Sequence, residues 1–137
     1  MKNLSLIILF MSLLSCSKND ITEEKVYTDK IIGEWKLTHI TVNGENHTNR
    51  CNTKGVVHFK SDKSLSSEFF GSVRGACTSA GIKNGYWKNE NNSYSINFND
   101  VFPKPTTEVS LFDNDTKLLV MEEIEPNTIV IRTFIKL

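Results

Sequence analysis

Five residues, Tyr94-Ser95-Ile96-Asn97-Phe98, constrain the fold of this chain more tightly than any other segment. Tyr94, Ile96 and Phe98 fall on one face, with Ser95 and Asn97 on the other. Strict alternation is the pattern of a half-buried antiparallel strand. Weaker versions recur in Trp35-Lys36-Leu37-Thr38, Val57-His58-Phe59-Lys60, Leu65-Ser66-Ser67-Glu68-Phe69, Glu108-Val109-Ser110-Leu111 and Lys117-Leu118-Leu119-Val120-Met121. The last run, from Thr128 to Ile135, is rich in β-branched residues and long enough for a full strand. Turn-forming clusters separate the runs: Asn43-Gly44, Ser61 to Ser64, Asn89 to Asn92, Asp113 to Asp115 and Glu125-Pro126-Asn127. Pro103 and Pro105 have no N–H to donate into a sheet and mark a loop. With the segment around Trp87 the count is eight strands, and short strands at near-even spacing predict an all-β sandwich or closed barrel. Helix is confined to one turn over 28–32, with Thr28 or Asp29 as its cap.

The charge balance removes one class of function. The 16 Lys and Arg match 16 Asp and Glu and are scattered among asparagines rather than clustered. A nucleic-acid footprint requires a basic face, so no nucleic acid is expected among the partners.

The N-terminus points to export. Met1-Lys2-Asn3 is basic, Leu4 to Leu14 is apolar, and Leu13-Leu14-Ser15-Cys16 closes the run, in the order of a secretory leader. The run falls short of the roughly 20 residues a spanning helix needs. Leu13 to Cys16 resembles a bacterial lipobox, which implies cleavage before Cys16 and acylation of that cysteine. The expected organisation is therefore a leader over 1–15, an acylated N-terminus and flexible linker over 16–29, and one folded domain over 30–137. Ser17 to Thr28 is too polar to offset the entropy of ordering itself. The stretch after Cys16 resembles the surface-export signals of Bacteroidetes lipoproteins, although Lys18-Asn19-Asp20 carries a single acid; a plain soluble linker is the alternative. The expected place is the bacterial envelope, as an outer-membrane lipoprotein on the periplasmic face or the cell surface.

In that oxidising compartment Cys51 and Cys77 are expected to pair, with two free thiols as the alternative. With a turn at Ser61 to Ser64 the two fall at the open end of one hairpin. No CxxC pair exists and the three histidines lack ligand spacing, so no metal is expected.

Ile31-Ile32-Gly33-Glu34-Trp35-Lys36-Leu37 resembles the opening of a lipocalin, where a short turn leads into Gly-x-Trp and the tryptophan plugs the closed end of a barrel. The wider pattern is similar to small lipocalin-like lipoproteins of Bacteroidetes. It comprises the lipobox, Gly-x-Trp-x-Leu, Cys51, Phe59 before a turn, Cys77, and a second Gly-x-Trp at Gly85-Tyr86-Trp87. The resemblance implies an eight-stranded antiparallel up-and-down barrel over about 30–137. It also implies a late arginine covering Trp35, for which Arg132 is the candidate. The Thr-Asp-Tyr motif of larger lipocalins is absent.

No catalysis and no cofactor are expected: Gly-x-Ser-x-Gly, HExxH, Gly-x-Gly-x-x-Gly and the P-loop are all missing. Strand parity turns Trp35, Leu37, Phe59, Phe69, Trp87, Tyr94, Ile96, Phe98, Leu111 and Val120 inward, with His39 alongside as a hydrogen-bonded core histidine. Glu122, Glu123 and Glu125 read as a solvated rim. Eight strands enclose enough room for packed side chains or one small ligand. The first expectation is a small hydrophobic ligand in the barrel, held at the membrane by the N-terminal lipid. The alternative is a packed barrel that binds an envelope protein, through a loop over Gly71 to Lys83 that carries Arg74. One of the adjacent Phe69 and Phe70 must face outward, either beneath the Cys77 loop or as part of a partner surface.

Overall fold

The computed structural model describes residues 28–99 and 106–137; the leader, Cys16, the leash to Tyr27, Pro103 and Pro105 lie outside the described residues. The strands are β1 (Gly33–Val42), β2 (Glu45–Asn46), β3 (Val56–Phe59), β4 (Ser64–Val73), β5 (Ala76–Glu90), β6 (Ser93–Phe98), β7 (Thr106–Phe112), β8 (Lys117–Glu125) and β9 (Thr128–Lys136). From β3 to β9 each strand pairs antiparallel with the next, β1 pairs with β3, and β1 also pairs with β9. The wall is thus an eight-stranded up-and-down barrel, and the two-residue β2 hangs on β1 outside it. Closure leaves the wall without a free edge, the usual weakness of a small sheet.

Local chemistry explains the tight hairpins. Asn43-Gly44, Arg74-Gly75 and Asn91-Asn92 each place two successive residues at positive φ, as a two-residue turn matching strand twist requires. In the longer β7–β8 turn three successive residues, Asp113, Asn114 and Asp115, have positive φ. Alternation then decides what is buried. Tyr94 and Ile96 on β6, Leu65 and Ser67 on β4, and Leu118, Val120 and Glu122 on β8 all turn inward. One cluster unites Ile31, Trp35, Leu37, Val57, Phe59, Leu65, Trp87, Tyr94, Ile96, Val109, Leu118, Val120 and Phe134. Each large apolar side chain buried there contributes about 1.5–3 kcal/mol.

Two expectations fail for stated reasons. His39 does not enter the core. A bulge on β1 between Leu37 and His39, where Thr38 Oγ1 donates to the Thr133 carbonyl at 3.0 Å, reverses the parity. Ile40 packs against the core instead, and the exposed His39 places Nδ1 2.8 Å from Thr48 Oγ1. Nor is Gly71 to Lys83 a loop. β4 and β5 continue as a two-stranded hairpin to a tip at Arg74-Gly75, with a register shift where Glu68 pairs with Ile82 and Phe70 with Ser79. Gly81, at φ +87°, sits in that irregularity.

The disulfide Cys51–Cys77 ties this hairpin to the segment ahead of β3, with the Cα atoms 5.0 Å apart. Cys51 is buried just before a single 3-10 turn over Asn52–Lys54. Arg50 adds a hydrogen bond from its guanidinium to the Gly75 carbonyl.

Candidate functional site: the barrel interior

The barrel has unlike ends. One is shut by the turn Asp29 to Ile32, in which the Ile32 N–H donates to the Asp29 carbonyl at 3.1 Å. Ile31 is driven into the core, and its carbonyl accepts the Trp35 Nε1–H at 2.7 Å. Trp87 repeats the arrangement, donating Nε1–H to the Lys60 carbonyl at 3.0 Å. A lysine caps each ring: Lys136 Nζ lies 5.2 Å from the Trp35 ring, and Lys63 Nζ lies 3.8 Å from that of Trp87. Phe59 and Tyr94 flank Trp87, with ring centroids 6.2 and 6.3 Å away.

The two Gly-x-Trp motifs acquire a physical cause here. Gly33 holds φ at +135°, and a Cβ there would meet Lys136 Cε at 3.1 Å. Gly85 is buried so close to β6 that a Cβ would collide with the Asn97 carbonyl. Glycine is thus required at Gly33 chiefly by its positive φ and at Gly85 by the close approach of backbone.

Asp29 clamps the plug. Its carboxylate accepts hydrogen bonds from Tyr94 Oη at 2.7 Å, Asn89 Nδ2 at 2.8 Å and the Ile31 N–H at 3.3 Å, with Lys63 Nζ 3.7 Å away. Burial alone would raise its pKa. The hydrogen bonds from Asn89, Tyr94 and Ile31, together with the Lys63 charge, outweigh burial and hold the carboxyl below its usual range.

Towards the other end, charge enters the apolar interior. Arg132 of β9 faces inward and donates Nη1–H to Glu122 Oε2 of β8, forming an ion pair. Its guanidinium also lies 5.7 Å from the Phe69 ring. Val57, Phe59, Phe69, Ile96, Phe98, Leu118, Val120 and Phe134 border the same space. The free volume among them is about 10 Å³, roughly what one water occupies. Ser67 Oγ is a second polar intrusion: the residue is 1% exposed and the hydroxyl has no hydrogen-bond partner among the described residues.

Of the residues assigned to the lining by sequence, Trp35, Leu37, Phe59, Trp87, Tyr94, Ile96 and Val120 are buried in the single core cluster. Phe69, Phe98 and Leu111 are half-buried against it. Phe70 is also half-buried, and Phe69 is the one of the two that packs against the core cluster. Arg74 is exposed at the hairpin tip, away from this interior. Two assignments are corrected. Arg132 does not cover Trp35; Lys136, four residues on, does so, and its ammonium donates to the Lys30 carbonyl at 2.8 Å. Glu122 is not part of a solvated rim. It is 8% exposed and faces Arg132, whereas Glu123 and Glu125 are exposed. The signal was present, because Leu118, Val120 and Glu122 share one parity on β8. Among the described residues no group of three or more His, Cys, Asp or Glu side chains is placed to hold a metal.

An up-and-down barrel of eight strands, plugged at one end by a turn beneath a tryptophan and carrying an ion pair within, defines a class of small calyx-shaped domains. The chain belongs to the lipocalin-like domain family, whose sequence pattern matches residues 31–118. No curated protein matches it.

Proposed function

We propose that this chain is a lipid-anchored lipocalin-like protein of the bacterial cell envelope, whose barrel binds a small, largely apolar ligand and performs no catalysis. The observation that carries this reading is the inward-facing Arg132–Glu122 pair beside half-buried Phe69 and Phe98. Apolar walls with a few convergent polar groups are the usual composition of a small-molecule site. Acylation at Cys16 fits the same picture. The plug at Asp29 is the end of the barrel nearest the leash, so a lipid on Cys16 tethers the domain by its closed end. The dozen residues between Cys16 and Asp29 reach about 40 Å when extended, which keeps the opposite end accessible.

A second reading, an interaction module that binds an envelope protein, is favoured by one observation: among the described residues, the space beside Arg132, Phe69 and Phe98 is about 10 Å³. The stapled β4–β5 hairpin, with exposed Val73 beside Arg74 and exposed Ile82 further down, is the surface it would use.

Native mass spectrometry of the protein purified from its own host envelope separates the two. The expected result is a reproducible small-molecule adduct that organic extraction removes. A bare mass, together with capture of a protein that an Arg74→Glu variant no longer binds, sinks the ligand reading. Cys16→Ser is expected to abolish acyl labelling and release the protein from membranes; continued labelling overturns the lipobox assignment.

A further inference from the structure

We infer that the Glu122 carboxylate is an internal stand-in for an acidic ligand, and that the barrel takes apolar molecules bearing one carboxylate or a comparable oxyanion, held by Arg132. This rests on the ligand-binding reading above.

The pair is poorly explained as a stabilising device. Arg132 and Glu122 side chains are 22% and 10% exposed among Val57, Phe69, Ile96, Phe98 and Val120. Removing both charges from water costs free energy that their mutual attraction only offsets, and apolar residues of similar volume commonly serve a core as well or better. A pair of this kind is better suited to exchange. A guanidinium presents five N–H groups in a planar fork that matches a carboxylate. Glu122 takes Nη1–H, and the Phe69 ring lies 5.7 Å from the guanidinium carbon.

The neighbouring groups suit an oxyanion on an apolar stem. Ser67 is two residues from Phe69 on β4 and directly across from Val57 of β3, and both of those residues border the space. Its buried, unpartnered hydroxyl is a donor awaiting an acceptor. Glu122 has somewhere to go, because β8 loses its register just beyond it, between Glu123 and Glu125, both already in solvent. Exchanging one carboxylate for another supplies the space for the head. The stem is expected to enter past half-buried Phe98 at the end of β6, since among the described residues β6 and β7 are paired in register only at Tyr94 with Val109. Among the described residues that seam has the fewest paired positions of the wall.

The test is calorimetric titration of the mature, disulfide-bonded protein with decanoate and with 1-decanol, probes of equal chain length that differ in the head. Decanoate is expected to bind at least about tenfold more tightly, the scale of one hydrogen bond to a charged group. Glu122→Gln removes the competing charge while keeping the shape, and is expected to tighten decanoate binding with little effect on decanol. Arg132→Met is expected to abolish the preference between the two. Equal affinities for the two probes in the wild type overturn the acid preference and leave the ligand reading intact. Binding of neither probe overturns both. Unchanged or weaker decanoate binding by a folded Glu122→Gln protein overturns the stand-in role, even if Arg132→Met fails to fold.

Discussion

The Tyr94 hydroxyl, on the barrel wall, donates a 2.7 Å hydrogen bond to the carboxylate of Asp29, the first residue of the plug. The closed end is therefore held by charge-assisted hydrogen bonds as well as by the burial of Ile31 and Trp35. Because the folded state holds the Asp29 pKa below its ordinary 3.8, the carboxylate stabilises the fold fully above that value. The contribution is lost as pH falls through the lower, folded pKa. Asp29→Asn is thus expected to lower the urea midpoint at pH 7, with the gap from wild type shrinking below about pH 4. A gap that is constant from pH 7 to pH 2 contradicts the assignment.

Lys136 rather than Arg132 covers Trp35. Lys136→Met removes the cation over the ring and the hydrogen bond to the Lys30 carbonyl, and is expected to cost about 1–2 kcal/mol in chemical denaturation. A midpoint equal to wild type means that this cap does not contribute.

Cys51 and Cys77, 26 residues apart, staple the β4–β5 hairpin to the barrel. Replacing both by serine is expected to lower stability by about 3–4 kcal/mol on the chain-entropy account, a large part of the margin of a small domain. The loss is expected first in the hairpin, where amide exchange over Ser72 to Ile82 accelerates before that of the core strands. Uniform acceleration throughout the barrel contradicts a local staple.

At Gly85 of β5 a methyl group meets the backbone of Asn97 and Phe98 on β6 rather than a movable side chain. Gly85→Ala is expected to destabilise by about 1–3 kcal/mol, the range of overpacked sites, while Gly71→Ala, which meets open space, is expected to change little. Thermal unfolding of the two variants side by side checks the contrast.

The strands and most of their turns were legible in the chain because their causes are local. Alternation of Tyr94, Ile96 and Phe98 needs no partner to be visible, and Asn43-Gly44 demands its turn wherever it stands. The Gly-x-Trp plug is likewise a short-range pattern. Alternation also carried a quieter message at Glu122, whose parity with Leu118 and Val120 places it inside despite its charge.

What only tertiary structure decided lies where distant strands meet. The bulge that expels His39 arises from the pairing of β1 with β9, nearly the whole chain away. Past one inserted residue, every later side chain changes face, so parity counted along β1 alone fails there. The same long-range closure puts Lys136 over Trp35 and brings Arg132 to Glu122. A charge turned inward is tolerable only if its partner arrives with it, and that partner sits on a different strand. Local periodicity thus determined the wall of this protein, and the closing of the barrel decided what the wall encloses.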